Sequence, residues 1–366
     1  MEIGSVLELD KWELYEVSNK EKMFWLPFMK DNKNYRTVFY QSGRNAIEAL
    51  LSFLQKERGI RKLLLPDYMC DTVQDAGVRS GICVNTYAID EEYDFSIDEI
   101  EKKVDNETCL FVAHYFGKKM KTNLCEYIMD LKKKGIILIE DVTLSLFSVD
   151  DGVGVGFGNY ILGSIRKWLP VPDGGFLTTQ SEKLPKQLQG TCVSKYVDFY
   201  MLVQTMKKEY IQGNCEDSSL KKIYMKYYEL SIDELFSDYT LYPMSEWTTN
   251  YLQNYDIKAL IEKRTRNYDY LYNKLSQIDG LKMKVHRKEG YLPFGMILQT
   301  ENRDELLQYL ISNNVYCNVH WRLQPSKKNE SVSFLAQHSI TIPCDQRYGE
   351  QEMDYIVSVL ERWYEK

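Results

Sequence analysis

Between residues 38 and 179 short apolar segments alternate with amphipathic ones, and this alternation restricts the possible folds more than any other feature of the chain. The amphipathic segments carry apolar residues at helical spacing, as Ile47, Leu50 and Leu54 show. They predict helices at residues 45–57, 71–78, 97–104 and 124–133, and the segments between them predict strands at 62–65, 82–89, 109–114 and 136–139. Strands and helices that alternate in this way form parallel βαβ units, whose functional loops follow the carboxyl ends of the strands.

The rest of the chain predicts two more strands of this sheet and a smaller unit at the end. Strands are expected at residues 160–165, 175–179, 281–285, 295–299 and 339–342, with 175–179 as an antiparallel hairpin partner of 160–165. Residues 184–239 predict mostly helix, and further helices are expected at 257–275, 305–313 and 351–364. Because 366 residues exceed one small core, we expect an arm at 1–38, a large α/β domain at 39–255 and a smaller α+β domain at 256–366.

The composition excludes several classes of protein. Hydrophobic residues make up 44% and charged residues 27% of the chain, as in ordinary soluble globular proteins. A net charge of −7 and a pI of 5.4 argue against nucleic acid as a partner. No apolar run is long enough to span a membrane and no secretory signal is visible, so we expect a cytoplasmic protein. The eight cysteines and four histidines lack ligand or disulfide spacing, which predicts free thiols and no metal site.

Lys167 lies directly after the predicted strand 160–165. A lysine taken alone is normally a solvated surface charge. Here Ser164 precedes it by three residues, where its hydroxyl could reach a phosphate oxygen, and Gly174-Gly175 soon follow, where the backbone can approach closely. Burial at the end of a strand would lower the pKa of this amine, as a lysine that forms a Schiff base requires.

Asp141 follows the predicted strand 136–139, and two interpretations are open. It could cap a helix, or it could be the carboxylate that keeps a pyridine nitrogen protonated. Glu140 should point to the opposite face of the strand and is the weaker candidate. A lysine and an acid at two strand ends are what the cofactor pyridoxal 5′-phosphate (PLP) needs, together with a cradle for its phosphate.

The segment before the first strong helix is the candidate phosphate cradle. Ser42 and Gly43 precede free backbone N–H groups, which bind anions at a helix N-terminus, and Arg44 would add positive charge. A plain helix cap is an equally open interpretation. His114 and Tyr115 end another strand on the ligand side, where either a stacking role or a structural histidine is consistent with the sequence.

In their order and spacing these blocks resemble the PLP-dependent aminotransferases of the DegT/DnrJ/StrS type, over residues 38 to 360. The matching pieces are Ser42-Gly43-Arg44-Asn45-Ala46, Leu65-Pro66-Asp67-Tyr68, His114-Tyr115-Phe116-Gly117, Ile139-Glu140-Asp141, Ser164 to Lys167, Asp173-Gly174-Gly175, Met244-Ser245-Glu246 and Ile340-Thr341-Ile342-Pro343. The resemblance implies PLP fold type I, with a mixed, mostly parallel seven-stranded sheet between helices in the large, PLP-binding domain. It also implies a homodimer that uses glutamate to aminate a keto group on a nucleotide-linked sugar.

The resemblance assigns a role to each candidate residue. Lys167 would bind the cofactor covalently and Asp141 would pair with its ring nitrogen, so these two are the predicted catalytic residues. The other predicted cofactor-binding residues are Ser42, Gly43, Arg44, Tyr68, Cys70, His114, Tyr115 and Ser164.

The chain departs from the family pattern at three places. Leu144 stands where the family commonly has Gln or His, and Cys70 lies where an aromatic residue often stacks on the ring, so Tyr68 or Tyr115 would substitute. Residues 241–243 replace an Asn-x-Arg whose Asn helps to bind the phosphate across the dimer, and Arg44 would compensate.

These observations predict a PLP-dependent aminotransferase of surface polysaccharide biosynthesis. Two alternatives stay open: a PLP-dependent dehydratase or lyase on the same fold, and a non-catalytic sensor that binds PLP. Family members that dehydrate sugars tend to carry His in place of the lysine, so Lys167 argues against the first. The acidic charge and the lack of a DNA-binding appendage argue against the second.

Overall fold

A computed structural model of the chain describes residues 1–9, 26, 34–148, 155–213, 216–323 and 330–365. The strands are β1 (Ile3–Gly4), β2 (Arg36–Tyr40), β3 (Lys62–Pro66), β4 (Cys83–Tyr87), β5 (Thr108–Ala113), β6 (Ile137–Asp141), β7 (Tyr160–Ser164), β8 (Gly175–Thr179), β9 (Lys282–Lys284), β10 (Met296–Gln299), β11 (Val315–Tyr316) and β12 (Ser339–Ile342). The helices are α1 (Gly43–Arg58), α2 (Asp71–Arg79), α3 (Ile97–Lys103), α4 (Thr122–Lys133), α5 (Lys195–Gln212), α6 (Ser218–Ser237), α7 (Glu246–Asn254), α8 (Ile257–Leu275), α9 (Arg303–Ser312), α10 (Glu330–His338) and α11 (Glu350–Tyr364).

The central sheet has seven strands in the order β2-β8-β7-β6-β5-β3-β4. The neighbours from β4 to β7 pair in parallel, whereas β8 is antiparallel to both β7 and β2. The predicted mixed, mostly parallel sheet of seven strands is therefore confirmed. Its parallel strands β5, β6 and β7 end side by side, which brings the residues after them to one edge.

Two hydrophobic layers cover the two faces of this sheet. On one face Leu50 and Leu54 of α1 pack with Leu63 of β3. On the other face Ile128 of α4 packs with Leu64, the next residue of the same strand. Successive side chains of a strand point to opposite faces, so a sheet enclosed by helices requires apolar residues at every position. This explains the continuous apolar runs in the sequence.

The helices begin and end where local chemistry favours it. Ser42 caps α1 by accepting a hydrogen bond from Asn45 N at 3.2 Å, and Gly59 ends that helix at φ +69°. Asp256 caps α8 by accepting from Ala259 N at 3.0 Å. None of the helices in the described ranges is both long and apolar enough to cross a membrane.

A second, three-stranded sheet in the order β12-β10-β9 forms near the end of the chain, covered by α8 and α11. The first residues join this part, because Ile3 and Gly4 of β1 pair in parallel with Val315 and Tyr316 of β11. The predicted arm at 1–38 includes residues 10–25 and 27–33, which lie outside the described residues, and its last residues, from Arg36 onward, belong to β2. The division into an arm and two domains stays a proposal.

Candidate active site

A cavity of about 150 Å³ lies at the carboxyl ends of β5, β6 and β7, and we call it the central cavity. It also faces the start of α1, the start of α2 and the end of α6. Nine of the ten predicted site residues line it: Ser42, Gly43, Arg44, Cys70, His114, Tyr115, Asp141, Ser164 and Lys167. The structure therefore brings together residues that are up to 125 positions apart in the chain.

Lys167 lies on a single 3₁₀ turn, Ile165–Lys167, which directly follows β7. Burial lowers the pKa of its amine below the ordinary value of 10.5, and the charge of neighbouring Arg166 lowers it further, against the opposing effects of Cys70 and Asp141. A larger fraction of the amine is therefore neutral, and only the neutral amine can attack a carbonyl carbon.

Asp141 is the last residue of β6 and is 8% exposed. Its Oδ1 accepts a hydrogen bond from Thr143 N at 2.8 Å. Burial raises the pKa of the carboxyl above its ordinary value, whereas this hydrogen bond and the charge of Lys167 lower it to a smaller extent. A cation placed against the carboxylate, such as a protonated ring nitrogen, would offset the cost of burial.

The N-terminus of α1 faces the end of β7. A Cβ atom added to Gly43 would lie 3.5 Å from Ser164 Cβ, so the first turn of the helix is in contact with the strand that precedes Lys167. A Cβ atom added to Gly175 would collide with the backbone of Ser42, which explains a glycine on β8 at this position. The hydroxyl of Ser42 caps the helix, which is one of the two interpretations for this residue. The first N–H groups of α1 stay available for an anion.

Arg44 lines the central cavity, but its guanidinium is also held by the segment after α6. Its Nη2 donates to the Asp238 carbonyl oxygen at 2.8 Å, and its Cζ lies 5.3 Å from the ring centroid of Tyr239. Burial and the charge of Arg79 lower the pKa of Arg44, and the carboxylates of Glu48 and Asp238 oppose this effect.

His114 and Tyr115 follow β5 and line the central cavity. Nε2 of His114 lies 2.7 Å from Oε1 of Glu140, and both side chains are buried. The Tyr115 hydroxyl donates to the Tyr68 carbonyl oxygen at 2.5 Å. Glu140 thus points away from Asp141, as the strand alternation predicts, and its side chain orients His114.

Tyr68 is the predicted site residue that does not line the central cavity. It is completely buried behind Tyr115, with 5.9 Å between the two ring centroids, and it also contacts Tyr93 and Trp321. Its phenol therefore belongs to an aromatic cluster behind Tyr115, and its predicted role at a cofactor ring stays a prediction.

Sequence reasoning missed other residues that line the central cavity, among them Thr143, Arg166 and Trp321. Arg166 is next to Lys167 and is therefore close to the predicted site in the sequence. Trp321 comes from the C-terminal part of the chain, where nothing in the sequence indicates the cavity. Tyr115 and Trp321 are therefore aromatic residues that line the central cavity, whereas Tyr68 does not line it.

PLP fits the residues of this cavity. A half-buried lysine, Lys167, and a buried carboxylate, Asp141, share the cavity with the N-terminus of α1. Lys167 would be the nucleophile, Asp141 would be the ring-nitrogen partner, and the helix N-terminus would hold the phosphate. The carboxylate whose pKa is raised by burial fits a pyridinium, which would place a positive charge directly against it.

No protein-family model and no curated protein matches this sequence. Solved structures do match. The sugar aminotransferase CalS13 from Micromonospora echinospora superposes with a TM-score of 0.62 and 14% identity, over 89% of this chain and 87% of that chain. NtdA from Bacillus subtilis, solved with bound cofactor PMP, gives a TM-score of 0.62 and 12% identity, over 90% and 73%.

A third match is DesI, solved in the presence of its TDP-sugar product, with a TM-score of 0.62 and 15% identity over 89% of this chain and 80% of that chain. Each superposition covers both the central sheet and the C-terminal part, because it extends over about nine-tenths of the chain. The chain therefore has the architecture of PLP fold type I, and its resemblance to the DegT/DnrJ/StrS-type aminotransferases is confirmed at the level of the fold.

Proposed function

We propose that the protein is a PLP-dependent aminotransferase that moves an amino group from an amino acid, glutamate in our proposal, to a keto group of a nucleotide-linked sugar. The observation that carries this proposal is that Lys167 and Asp141 lie in one cavity, at the ends of adjacent strands, on a fold shared with sugar aminotransferases. Family membership, the cofactor and the catalytic roles of these residues are part of the proposal.

Bound PLP supplies an electrophilic carbon and an electron-withdrawing ring. Lys167 contributes a partly neutral amine, which can act as a nucleophile and then accept and return a proton at Nζ. Asp141 holds a proton at the ring nitrogen, since its buried carboxylate favours a cation at that position. Tyr115 and Trp321 enclose the cavity with aromatic surface and limit the access of water.

The substrate class is supported by two of the matching structures. CalS13 is a sugar aminotransferase, and DesI was solved with a TDP-sugar product. We extend the proposal to a homodimer in the cytoplasm that serves surface polysaccharide synthesis, as the family resemblance implies. Thermal-shift measurements on the PLP-loaded protein with a panel of nucleotide sugars test the substrate class, because a true ligand stabilises the native state by mass action.

The lysine assignment is tested by reducing the PLP-loaded protein with borohydride and locating the labelled peptide by mass spectrometry. We expect the label on Lys167, and we expect Lys167→Ala and Lys167→Arg to lack both the label and the absorption band of the adduct. Lys134→Ala, at the exposed end of α4, is the matched control and should keep both. A label on another lysine of the wild-type protein would contradict the assignment.

The aminotransferase reaction is tested separately from cofactor binding. Addition of glutamate to the PLP-loaded wild-type protein should convert the cofactor to its pyridoxamine form and release 2-oxoglutarate, both of which are measurable by chromatography. Firm binding of PLP without any conversion by a panel of amino acids would instead favour the non-catalytic sensor.

A further inference from the structure

Arg166 directly precedes Lys167, the proposed Schiff-base lysine, and its guanidinium lies among tyrosines of α5. Its Cζ lies 5.9 Å from the ring centroids of both Tyr196 and Tyr200 on α5. Its Nε is shielded from solvent and has no hydrogen-bond partner. Within the described part of the chain, no carboxylate forms an ion pair with this guanidinium.

A guanidinium that is shielded from solvent without a carboxylate partner raises the free energy of the folded state, since the arginine stays protonated at every relevant pH. The tyrosines around it are neutral at pH 7 and stabilise the cation through their rings and through one hydrogen bond with the Tyr200 hydroxyl, without supplying a negative charge. Among the described residues that line the central cavity, Asp141 is the one carboxylate, against the guanidinium cations of Arg44 and Arg166. The cavity therefore has an excess of positive charge that an anionic group would neutralise.

The surroundings of Arg166 place it on the side of the cavity that contains the N-terminus of α1. Ser164, two residues before it, contacts Gly43 at the start of that helix. On the other side Gln41, just before α1, donates from its side chain to the hydroxyl of Ser194. Ser194 directly precedes α5, the helix whose Tyr196 lies against the guanidinium.

Arg44 is the other arginine near the start of α1, and its charge is already compensated. It donates to Asp238 O and lies within the field of the Glu48 and Asp238 carboxylates, although its Nε also lacks a partner. Arg166 has a hydrogen bond with Tyr200, but no carboxylate forms an ion pair with it within the described residues. Of the two cations, Arg166 is the one that gains more from an anion in the cavity.

We propose that Arg166 binds the phosphate group of the cofactor, together with the first N–H groups of α1 and the hydroxyl of Ser164. Arg166 then takes the role that the sequence assigned to Arg44, and it makes up for the missing cross-dimer asparagine from within the same chain. This inference rests on the proposed function, because it requires PLP in the central cavity. A guanidinium suits this role because its planar set of N–H groups matches two phosphate oxygens.

The test compares two ligands that differ only in the phosphate. Apo protein is titrated with PLP and with pyridoxal, which lacks the phosphate, and binding is followed by the quenching of tryptophan fluorescence and by absorbance. Arg166→Met should weaken PLP on the order of tenfold to a hundredfold, the loss expected for charge-assisted hydrogen bonds, and should change the affinity for pyridoxal by less than threefold. Arg166→Lys keeps the charge and should lose less affinity for PLP than Arg166→Met does.

Two further variants complete the comparison. Arg44→Met should change the ratio of PLP to pyridoxal affinity less than Arg166→Met does, and Arg61→Met, at an exposed position remote from the cavity, should leave it unchanged. A selective loss of PLP affinity in Arg44→Met but not in Arg166→Met would overturn the inference. Equal loss of both ligands in Arg166→Met and Arg166→Lys would also overturn it, because Arg166 would then act on the fold.

The same titrations separate this inference from the proposed function. A wild-type protein that binds neither PLP nor pyridoxal contradicts the proposed function itself. A wild-type protein that binds PLP, with an unchanged ligand ratio in Arg166→Met, contradicts only the inference about Arg166. A raised KM for the amino donor with an unchanged ligand ratio would assign Arg166 to the substrate carboxylate and likewise overturn the inference.

Discussion

Glu140 and His114 form a fully enclosed pair, with 2.7 Å between Oε1 and Nε2 and no more than 1% of either side chain exposed. The same carboxylate accepts hydrogen bonds from Gly156 N at 2.7 Å and Gly158 N at 2.8 Å. Glu140 therefore holds the loop before β7 and the imidazole at the edge of the central cavity at the same time. Its neighbour Asp141 lines the cavity. Two adjacent residues at the end of β6 thus have different roles: Glu140 stabilises the fold, and Asp141 would contact the cofactor.

Glu140→Gln should lower the free energy of unfolding by about 2–4 kcal/mol, because an amide places N–H donors against a backbone N–H that needs an acceptor. Urea unfolding followed by circular dichroism measures this loss. The control Glu107→Gln removes an exposed carboxylate paired with Arg61 and should cost less than about 1 kcal/mol. Substitutions at surface sites usually change stability by no more than about 0.5 kcal/mol. A loss below about 0.5 kcal/mol for Glu140→Gln, with normal cooperativity, would therefore show that the Glu140–His114 pair does not stabilise the fold.

Asp141→Asn should slow conversion of the cofactor by glutamate by about a hundredfold or more, because a neutral amide cannot hold a proton on the ring nitrogen. Binding of PLP should be retained, since the lysine and the phosphate contacts are unchanged. Stopped-flow absorbance under single-turnover conditions measures the rate. Asp279→Asn, at an exposed site, is the control, and a rate within threefold of wild type for Asp141→Asn would exclude the proposed role.

Burial raises the pKa of Asp173 from its ordinary 3.8 to about 6, although Ser245 and Thr248 donate hydrogen bonds to it. A carboxyl whose pKa is raised on folding binds its proton more tightly in the native state. Its contribution to native stability is therefore greatest below pH 4 and is lost as the pH rises through 6.

Asp173→Asn does not titrate, so the amount by which wild type exceeds this variant in stability should fall by roughly 1–3 kcal/mol between pH 4 and pH 7. Urea unfolding of both proteins at several pH values measures this difference. An Asp233→Asn variant, changed at an exposed site on α6, should show no such trend. A difference that grows with pH would mean that the hydrogen bonds outweigh burial at Asp173.

Gly175→Ala should destabilise the protein by more than about 2 kcal/mol and weaken PLP binding, because the new methyl group must displace the backbone of Ser42 at the start of α1. Thermal unfolding and PLP titration measure the two effects. Gly213→Ala is the matched control, since its Cβ would approach Glu209 O no closer than 3.4 Å. Equal effects of the two variants would mean that the contact between β8 and α1 can relax freely.

Much of the fold follows from local periodicity. The predicted helix 257–275 and the predicted strand 339–342 agree with α8 and β12, because each element buries the side that its apolar residues mark. Strand β2 was not predicted. Its five residues pair with β8 about 140 positions later, and only that long-range pairing makes an edge strand of them.

The site was predicted where it depends on strand ends and not where it depends on packing between distant segments. Lys167 and Asp141 follow apolar runs, so their place at one edge of the sheet could be inferred. Tyr68 lies behind the cavity wall and Trp321 lies in it, because Trp321 of the C-terminal part packs against Tyr68 and Tyr115. No local sequence pattern encodes this contact between distant segments. Arg44 lines the cavity as predicted and also donates to the Asp238 carbonyl oxygen, a contact that the sequence does not indicate, and its role at an anion stays a prediction.

The segment that follows α6, from Asp238 to Thr240, also affects stability. Arg44 and Asn45 donate to the carbonyl oxygens of Asp238 and Thr240, and Leu235 and Phe236 of α6 line the central cavity. Local unfolding of the α5–α6 hairpin would therefore loosen the first turn of α1 and the cavity wall in one cooperative event. Cofactor release should then accelerate at urea concentrations that leave the central sheet intact, so retention of PLP would report the stability of a helical hairpin and not that of the whole fold.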